Sequence, residues 1–204
     1  MRDERGLSDD VIERFQIGYC PSSVEHELSG RIITPIFDPY GNLVALSTRH
    51  LDRKKDFWHE SFDKHFYLYG LHLAKSSIVM SQKAILVEGE FDVAYLHSKG
   101  ATMTVGCCGS AFSVFQASLL GRYCSEIYLV FDSDVSKKPG VLGSGQRAMK
   151  RAMEMQAEIL RDMKFIPVLL PYGKDPDDFV KEHGIQSFSE LLKESKENVE
   201  PKGS

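Results

Sequence analysis

Two stretches decide the fold: Ala84-Ile85-Leu86-Val87-Glu88-Gly89-Glu90-Phe91-Asp92 and Ile127-Tyr128-Leu129-Val130-Phe131-Asp132-Ser133-Asp134. In each, a short run of aliphatic and aromatic residues stops at an acid. Runs of this kind, separated by helix-length segments, have the composition of parallel strands buried on both faces of an α/β sheet. Open α/β sheets bind ligands beyond the carboxyl ends of their strands, so Glu88, Asp132 and Asp134 are expected to converge there. Acids gathered at one sheet edge repel one another unless a cation separates them. Carboxylates with little nearby His or Cys suit a hard ion such as Mg²⁺.

Outward from these runs the pattern alternates. Phe91 to Ser98 fits a helix ended by Gly100, Thr102 to Val105 a second strand, and Ser110 a cap for a helix over Phe112 to Leu120. Ile127 to Phe131 is the third strand. A loop with Lys137, Lys138, Pro139 and several glycines leads into an amphipathic helix over Gln146 to Met163, then a fourth strand over Phe165 to Leu170. An acidic loop, Lys174-Asp175-Pro176-Asp177-Asp178, precedes a final helical region starting at Phe179, and Ser195 to Ser204 are expected to fray.

Upstream, Ser8 can cap a helix whose apolar face carries Val11, Ile12 and Phe15. Arg31 to Arg49 reads as a hairpin around Pro39-Tyr40-Gly41-Asn42, with Pro35 marking an edge strand or a bulge. The basic stretch Arg49-His50-Leu51-Asp52-Arg53-Lys54-Lys55 follows, then Phe57, Trp58 and His59, then Lys64 and His65. Bases interleaved with aromatics suit a phosphate backbone and stacked nucleobases, and equally a solvated loop with a few packed rings.

The acids also have readings without chemistry. E-G-x-x-D alone serves a surface acid or a helix cap as well as a ligand, and Asp177 could equally be the N-cap of the helix at Phe179. Asp132 and Asp134, two apart on an extended end, can point the same way, which costs free energy without a cation. Asp175 and Asp177 repeat that spacing.

Composition sets the bounds. A chain of 204 residues, 42% hydrophobic, can bury the core of one domain plus a smaller subdomain. Its net charge of -4 argues against coating duplex DNA by bulk positive charge, while leaving room for a local basic surface. None of the four cysteines forms a C-x-x-C pair, so buried or free thiols are expected rather than zinc or redox chemistry. No apolar run reaches membrane-spanning length and Met1-Arg2-Asp3-Glu4-Arg5 is not a signal peptide, so the expected location is cytoplasmic.

The order of the acidic motifs resembles the Toprim domain shared by primases, type IA and type II topoisomerases and some small nucleases. The likeness narrows to the RNA polymerase domain of bacterial replicative (DnaG-type) primases. Leu86 to Val93, Phe131 to Asp134 and Leu170 to Asp177 look like that family's three acidic motifs. Gly6 to Phe15 with Gly18-Tyr19, Arg31-Ile32 with Pro35-Ile36, Gly41 with Arg49, and Lys64 with Leu68-Tyr69-Gly70-Leu71 resemble the preceding subdomain in the same order.

The resemblance implies an α/β fold: a Toprim, Rossmann-like, parallel four-stranded sheet flanked by helices and preceded by a small α+β subdomain. It divides the chain into a partial N-terminal subdomain (1–82), a Toprim domain (83–184) and a C-terminal helix with a polar tail (185–204). Glu88, Asp132 and Asp134 would hold catalytic Mg²⁺ or Mn²⁺, with Asp92, Asp175 and Asp177 as nearby acids for a further ion. Arg49 and Lys64, and with a looser match Arg31, would face nucleotide phosphates and template. The implied activity is synthesis of short RNA primers on single-stranded DNA from ribonucleoside triphosphates. A replicative helicase and a separate zinc-binding module join the partners to consider. The cysteine spacing provides no zinc ribbon, and the loop after Asp134 is longer than the family's. A Toprim nuclease and a non-catalytic, nucleic-acid-binding replication accessory protein stay open beside the primase reading.

Overall fold

The structure, a computed structural model, describes residues 6–53, 56–59, 61–109, 112–133, 142–158 and 162–199. Ser8 stands at the N-cap of α1 (Asp9–Arg14), in extended conformation but without the expected side-chain cap bond. Next comes an antiparallel sheet in the order β1-β2-β3-β4, formed by β1 (Gly18–Cys20), β2 (Arg31–Phe37), β3 (Leu43–His50) and β4 (Phe57–His59). The β2–β3 hairpin is the one expected. Its turn is fastened by Asp38, whose carboxylate accepts the Tyr40 and Asn42 backbone N–H groups at 2.8 and 2.9 Å, with Gly41 at φ 89°. Pro35 pairs with Leu46 on one side, while β1 reaches only as far as Ile33 on the other, so the missing N–H costs no ladder bond. A register irregularity follows between Ile36 and Phe37.

A 3₁₀ turn (Lys64–Phe66) leads to α2 (Leu71–Ser81), a helix the sequence reading did not mark. The chain then alternates β5 (Lys83–Val87), α3 (Glu90–Ser98), β6 (Thr104–Gly106), α4 (Val114–Leu120), β7 (Glu126–Leu129), α5 (Ser144–Glu158), β8 (Lys164–Pro167) and α6 (Pro176–Val199), the last broken into two helical parts at Gly184, whose φ of 84° and ψ of 165° are not helical. The four strands pair in parallel in the order β6-β5-β7-β8.

Both faces of this sheet are covered, which is why its strands are continuously apolar. Ile85, Val87, Tyr128, Val130 and Ile166 face one core with Phe15 just after α1, Val93 of α3 and Phe179 and Phe188 of α6. Ala84, Leu86, Ile127, Leu129 and Phe165 face the other, with Leu71 and Ile78 of α2, Leu120 of α4 and Ala152 of α5. Each fully buried Val, Leu, Ile or Phe contributes about 1.5–3 kcal/mol. The first core continues into Ile32 and Ile36, so the antiparallel sheet packs against the α1, α3 and α6 side. An antiparallel bridge, Tyr69 to Gly106, adds the upstream unit to the outer edge of β6.

Three local expectations need correcting. The cap of α4 is Ser113, whose hydroxyl accepts the Gln116 N–H at 3.1 Å while Gln116 Oε1 accepts the Ser113 N–H at 3.1 Å; Ser110 lies outside the described residues. The cap of α6 is Asp175, which accepts the Asp178 N–H at 2.9 Å, so Asp177 is not the N-cap. The segment from Ser195 to Val199 does not fray: it is the last part of α6, with Ser195 buried and Lys196 2.7 Å from Glu126. The part of α6 that leads into it packs on the core through Ile185, Phe188, Leu191 and Leu192. No helix among the described residues is long and apolar enough to cross a membrane.

Candidate active site

In the order β6-β5-β7-β8 the chain leaves β5 in one direction and reaches β7 in the other. That makes the carboxyl ends of β5 and β7 the switch point where open α/β sheets bind ligands. Glu88 follows β5 directly, and Asp132 follows the apolar run that β7 opens. Parallel register sets Leu86 beside Leu129, and the Val130 N–H donates to the Leu86 carbonyl at 2.9 Å. Glu88 therefore comes level with the Asp132 loop, where its Oε1 accepts the Asp132 N–H at 3.3 Å. Asp134 lies outside the described residues.

Ser133 ties the second acidic motif to the third. Its N–H donates to the Lys174 carbonyl at 3.0 Å, its carbonyl accepts the Gly173 N–H at 3.2 Å, and its hydroxyl accepts the Lys174 N–H at 2.9 Å. This short ladder carries Asp175 and Asp177 to the same edge. There, carboxylate oxygens of Asp92, Asp175 and Asp177 lie within 4.8 Å of one another, a grouping able to hold a metal ion. Asp92 comes from the first turn of α3, and a Cβ at Gly89 would fall 2.6 Å from its Oδ2. The glycine of the E-G-x-x-D motif thus makes room for the second acid.

Burial, then Asp177, Asp132 and Asp175, push the Asp92 carboxyl well above the usual carboxylate range. Burial and a hydrogen bond shared with Asp177 push Asp175 up to about 7 against the Asp178 N–H, which favours its ionised form. Asp177, only 2% exposed, meets the Lys181 ammonium at 2.6 Å. An all-oxygen set of mutually destabilised acids fits a hard divalent cation, which would relieve the repulsion that protons otherwise must.

The basic residues divide between two faces of the antiparallel sheet. Ile32 pairs with Arg49 and Thr34 with Ser47, placing Arg49 and Ser47 on the face that carries Ile32 and Ile36 into the core. Ser47 donates to Glu90 in the first turn of α3 at 3.1 Å, and the Arg49 guanidinium lies 5.5 Å from the Phe57 ring centroid. Arg31 pairs with His50 on the opposite face, 2.7 Å from Asp56, beside a cleft also lined by His26, His50 and Arg53. The structure therefore does not bring Arg31 to the acids. Lys64 sits in the 3₁₀ turn upstream of α2, where its carbonyl accepts the Gln116 amide at 3.1 Å; burial pushes the nearby Cys108 thiol up against a small opposing effect of the Lys64 ammonium, and Gly109, which follows Cys108, donates its N–H to the Glu88 carbonyl at 3.2 Å.

Two participants had no role in the sequence reading. Glu90 ties the upstream sheet to α3 through Ser47; the quoted motif contained it, but a contact with a strand 43 residues earlier leaves no local trace. Gly145, near the start of α5, lies so close to Asp132 that a Cβ would overlap its backbone. The glycine was visible, and what it packs against was not.

The Toprim domain pattern matches residues 82–165. The DNA primase of Aquifex aeolicus is 30% identical over 244 aligned positions, which take in 97% of this chain and 47% of that protein. The DNA primase of Clostridium acetobutylicum is 32% identical over 188, covering 90% and 30%. The chain thus spans about half or less of the length of these relatives. Among solved structures, the zinc-binding and RNA polymerase domains of the Aquifex aeolicus primase superpose with a TM-score of 0.81 at 28% identity, over 94% of this chain and 54% of that one. A DnaG primase catalytic domain bound to single-stranded DNA shares the fold at a TM-score of 0.80 and 23% identity, over 95% and 72%. Likeness to DNA primases thus runs in sequence through nearly the whole of this chain, around a Toprim domain pattern and on a fold shared with the DnaG catalytic core.

Proposed function

We propose that this chain is the catalytic core of a DNA-directed RNA polymerase that lays down short RNA primers on single-stranded DNA. The observation that carries the reading is the Glu88 carboxylate against Asp132 at the switch point, with Asp92, Asp175 and Asp177 grouped beside them. In this reading Glu88 and Asp132, joined by Asp134, hold Mg²⁺ or Mn²⁺, and the Asp92 group holds a further ion. Bound divalent cations supply activation of the primer 3′-hydroxyl and neutralisation of the triphosphate and departing pyrophosphate. The protein's own residues bind and orient. Lys64 and Arg49 meet nucleotide and template phosphates, Glu88 and Ser133 fix the Asp132 loop, and no side chain acts as a nucleophile. Arg31, with His50 and Arg53 at the outer-face cleft, meets template beyond the site. A zinc-binding module, carried by the Aquifex aeolicus primase together with its polymerase domain, and a replicative helicase complete the proposed cytoplasmic assembly.

The test is incubation with single-stranded DNA, labelled ribonucleotides and Mg²⁺ or Mn²⁺. New alkali-labile RNA is expected, and its loss in Asp132→Ala with an unchanged thermal midpoint, because a partly exposed acid in a repulsive cluster contributes little to stability. Shortened DNA would make the protein a nuclease, and bound but unaltered DNA an accessory factor. Synthesis by Asp132→Ala at the wild-type rate would remove that residue from the site.

A further inference from the structure

Lys64 belongs to a turn that a distant element holds in place. Gln116 of α4, with no solvent exposure, donates its amide to the Lys64 carbonyl at 3.1 Å and to the Tyr67 carbonyl at 2.7 Å. The Ser113 hydroxyl donates to the His65 carbonyl at 2.6 Å. Locked together in this way, the turn and α4 present two phenylalanines as a pair. The Phe66 and Phe115 ring centroids lie 4.5 Å apart at 44°, and the residues are 45% and 57% exposed. Apolar rings left in water beside Lys64 and His65, on a rigid mount, call for an occupant that is flat, apolar on its faces and attached to negative charge.

A nucleobase on a sugar-phosphate chain meets all three conditions. Every base has a π-face, and single-strand binders combine aromatic platforms with basic residues that follow the backbone. A protein partner fits poorly, since two half-exposed rings fall far short of the ~800 Å² per side that stable interfaces bury. The position is also right: α4 starts just beyond the carboxyl end of β6, next to the strand that delivers Glu88. We infer that the Phe66–Phe115 pair is a stacking platform for a base of single-stranded DNA, with Lys64 taking a phosphate of the same strand.

The inference rests on the nucleic-acid reading above, and the experiment separates the two. Anisotropy titrations compare a fluorescent oligothymidylate with an oligomer of equal length whose central sugars lack bases, against wild type, Phe66→Ala, Phe115→Ala and Phe66→Trp. The base-containing strand should bind about fivefold or more weakly to each alanine variant, the lower end of what one stacked base contributes. Phe66→Trp should bind as wild type, and the abasic strand should bind all four proteins alike. Equal weakening toward both strands, or no weakening, overturns the platform while leaving the nucleic-acid reading intact. Failure of wild type to bind either strand in a salt-dependent way overturns the nucleic-acid reading itself. Concentration-dependent sedimentation of wild type that Phe66→Ala abolishes would assign the rings to a second copy of this chain and overturn the platform.

Discussion

Asp92 shows how a single side chain can be costly to the fold and useful to the site. Its carboxyl is buried and faces Asp177, Asp132 and Asp175, so ionising it costs more in the fold than in water unless a cation is present. Asp92→Asn keeps the shape and removes the charge. In chelator at pH 7.5 the variant should melt a few degrees above wild type, since about 1 kcal/mol moves a chain of this size by roughly 2–4 °C. Added Mg²⁺ should raise the wild-type midpoint and move the variant less. A thermal scan with and without Mg²⁺ checks both, and a variant that melts lower in chelator would show that the acids do not repel as described. Lys181 bears on the same balance, because its contact with Asp177 compensates one of the three charges.

At the scale of elements, α5 is the piece whose placement matters most to the chemistry. Near its N-terminus, Gly145 lies against the Asp132 backbone with no room for a Cβ. Gly145→Ala must displace either the helix or the acid. A shift of about 1 Å in a catalytic group can cost on the order of 10²-fold in rate. Primer synthesis by Gly145→Ala should fall by about that factor, with far-UV circular dichroism unchanged, and wild-type turnover would show that the loop yields harmlessly. The strands around this site were legible in the sequence because Ile85, Leu86 and Val87 alternate between two buried cores, leaving no polar position to blur the run. Glu88, Asp132 and Asp175 were legible because each stands where such a run or a turn ends. Helix α2 was not marked, since its buried residues Leu71, Ala74 and Ile78 are interspersed with Ser and Lys and no side chain caps its start at Gly70. The far part of α6 misled for the converse reason: a polar surface enriched in Lys and Glu reads as a tail unless the helix beneath is seen to bury Phe188. Contacts between remote segments, such as Ser47 with Glu90 and Gln116 with the Lys64 turn, depend on tertiary packing that no local pattern encodes.

For the molecule as a whole, pH couples to stability through groups pulling in opposite directions. His97 is buried between α3 and β6, with Nε2 2.9 Å from the Thr104 carbonyl and its ring edge-on to Phe15. Burial, opposed by that hydrogen bond and aided by Arg14 and His72, lowers its pKa to about 4. The unfolded chain holds its histidine protons up to about pH 6.5. Between those values the unfolded state binds more protons, so the His97 contribution is present above about pH 6.5 and is lost as pH falls toward 4. Asp175, raised to about 7, runs the other way across an overlapping window. The wild-type-minus-His97→Gln difference in urea-melt stability isolates the histidine. It should shrink as pH falls from 7 to 5, by up to about 1.4 kcal/mol per unit, and a flat difference would show that the imidazole titrates normally in the fold.

The bridge between Tyr69 and Gly106 also bears on how this architecture could be dissected. It shields the rim of the outermost parallel strand, whose amide and carbonyl groups would otherwise be open to pairing with any extended peptide. A catalytic half cut away from its upstream partner would carry that rim bare, and its first new neighbour would be another copy of itself.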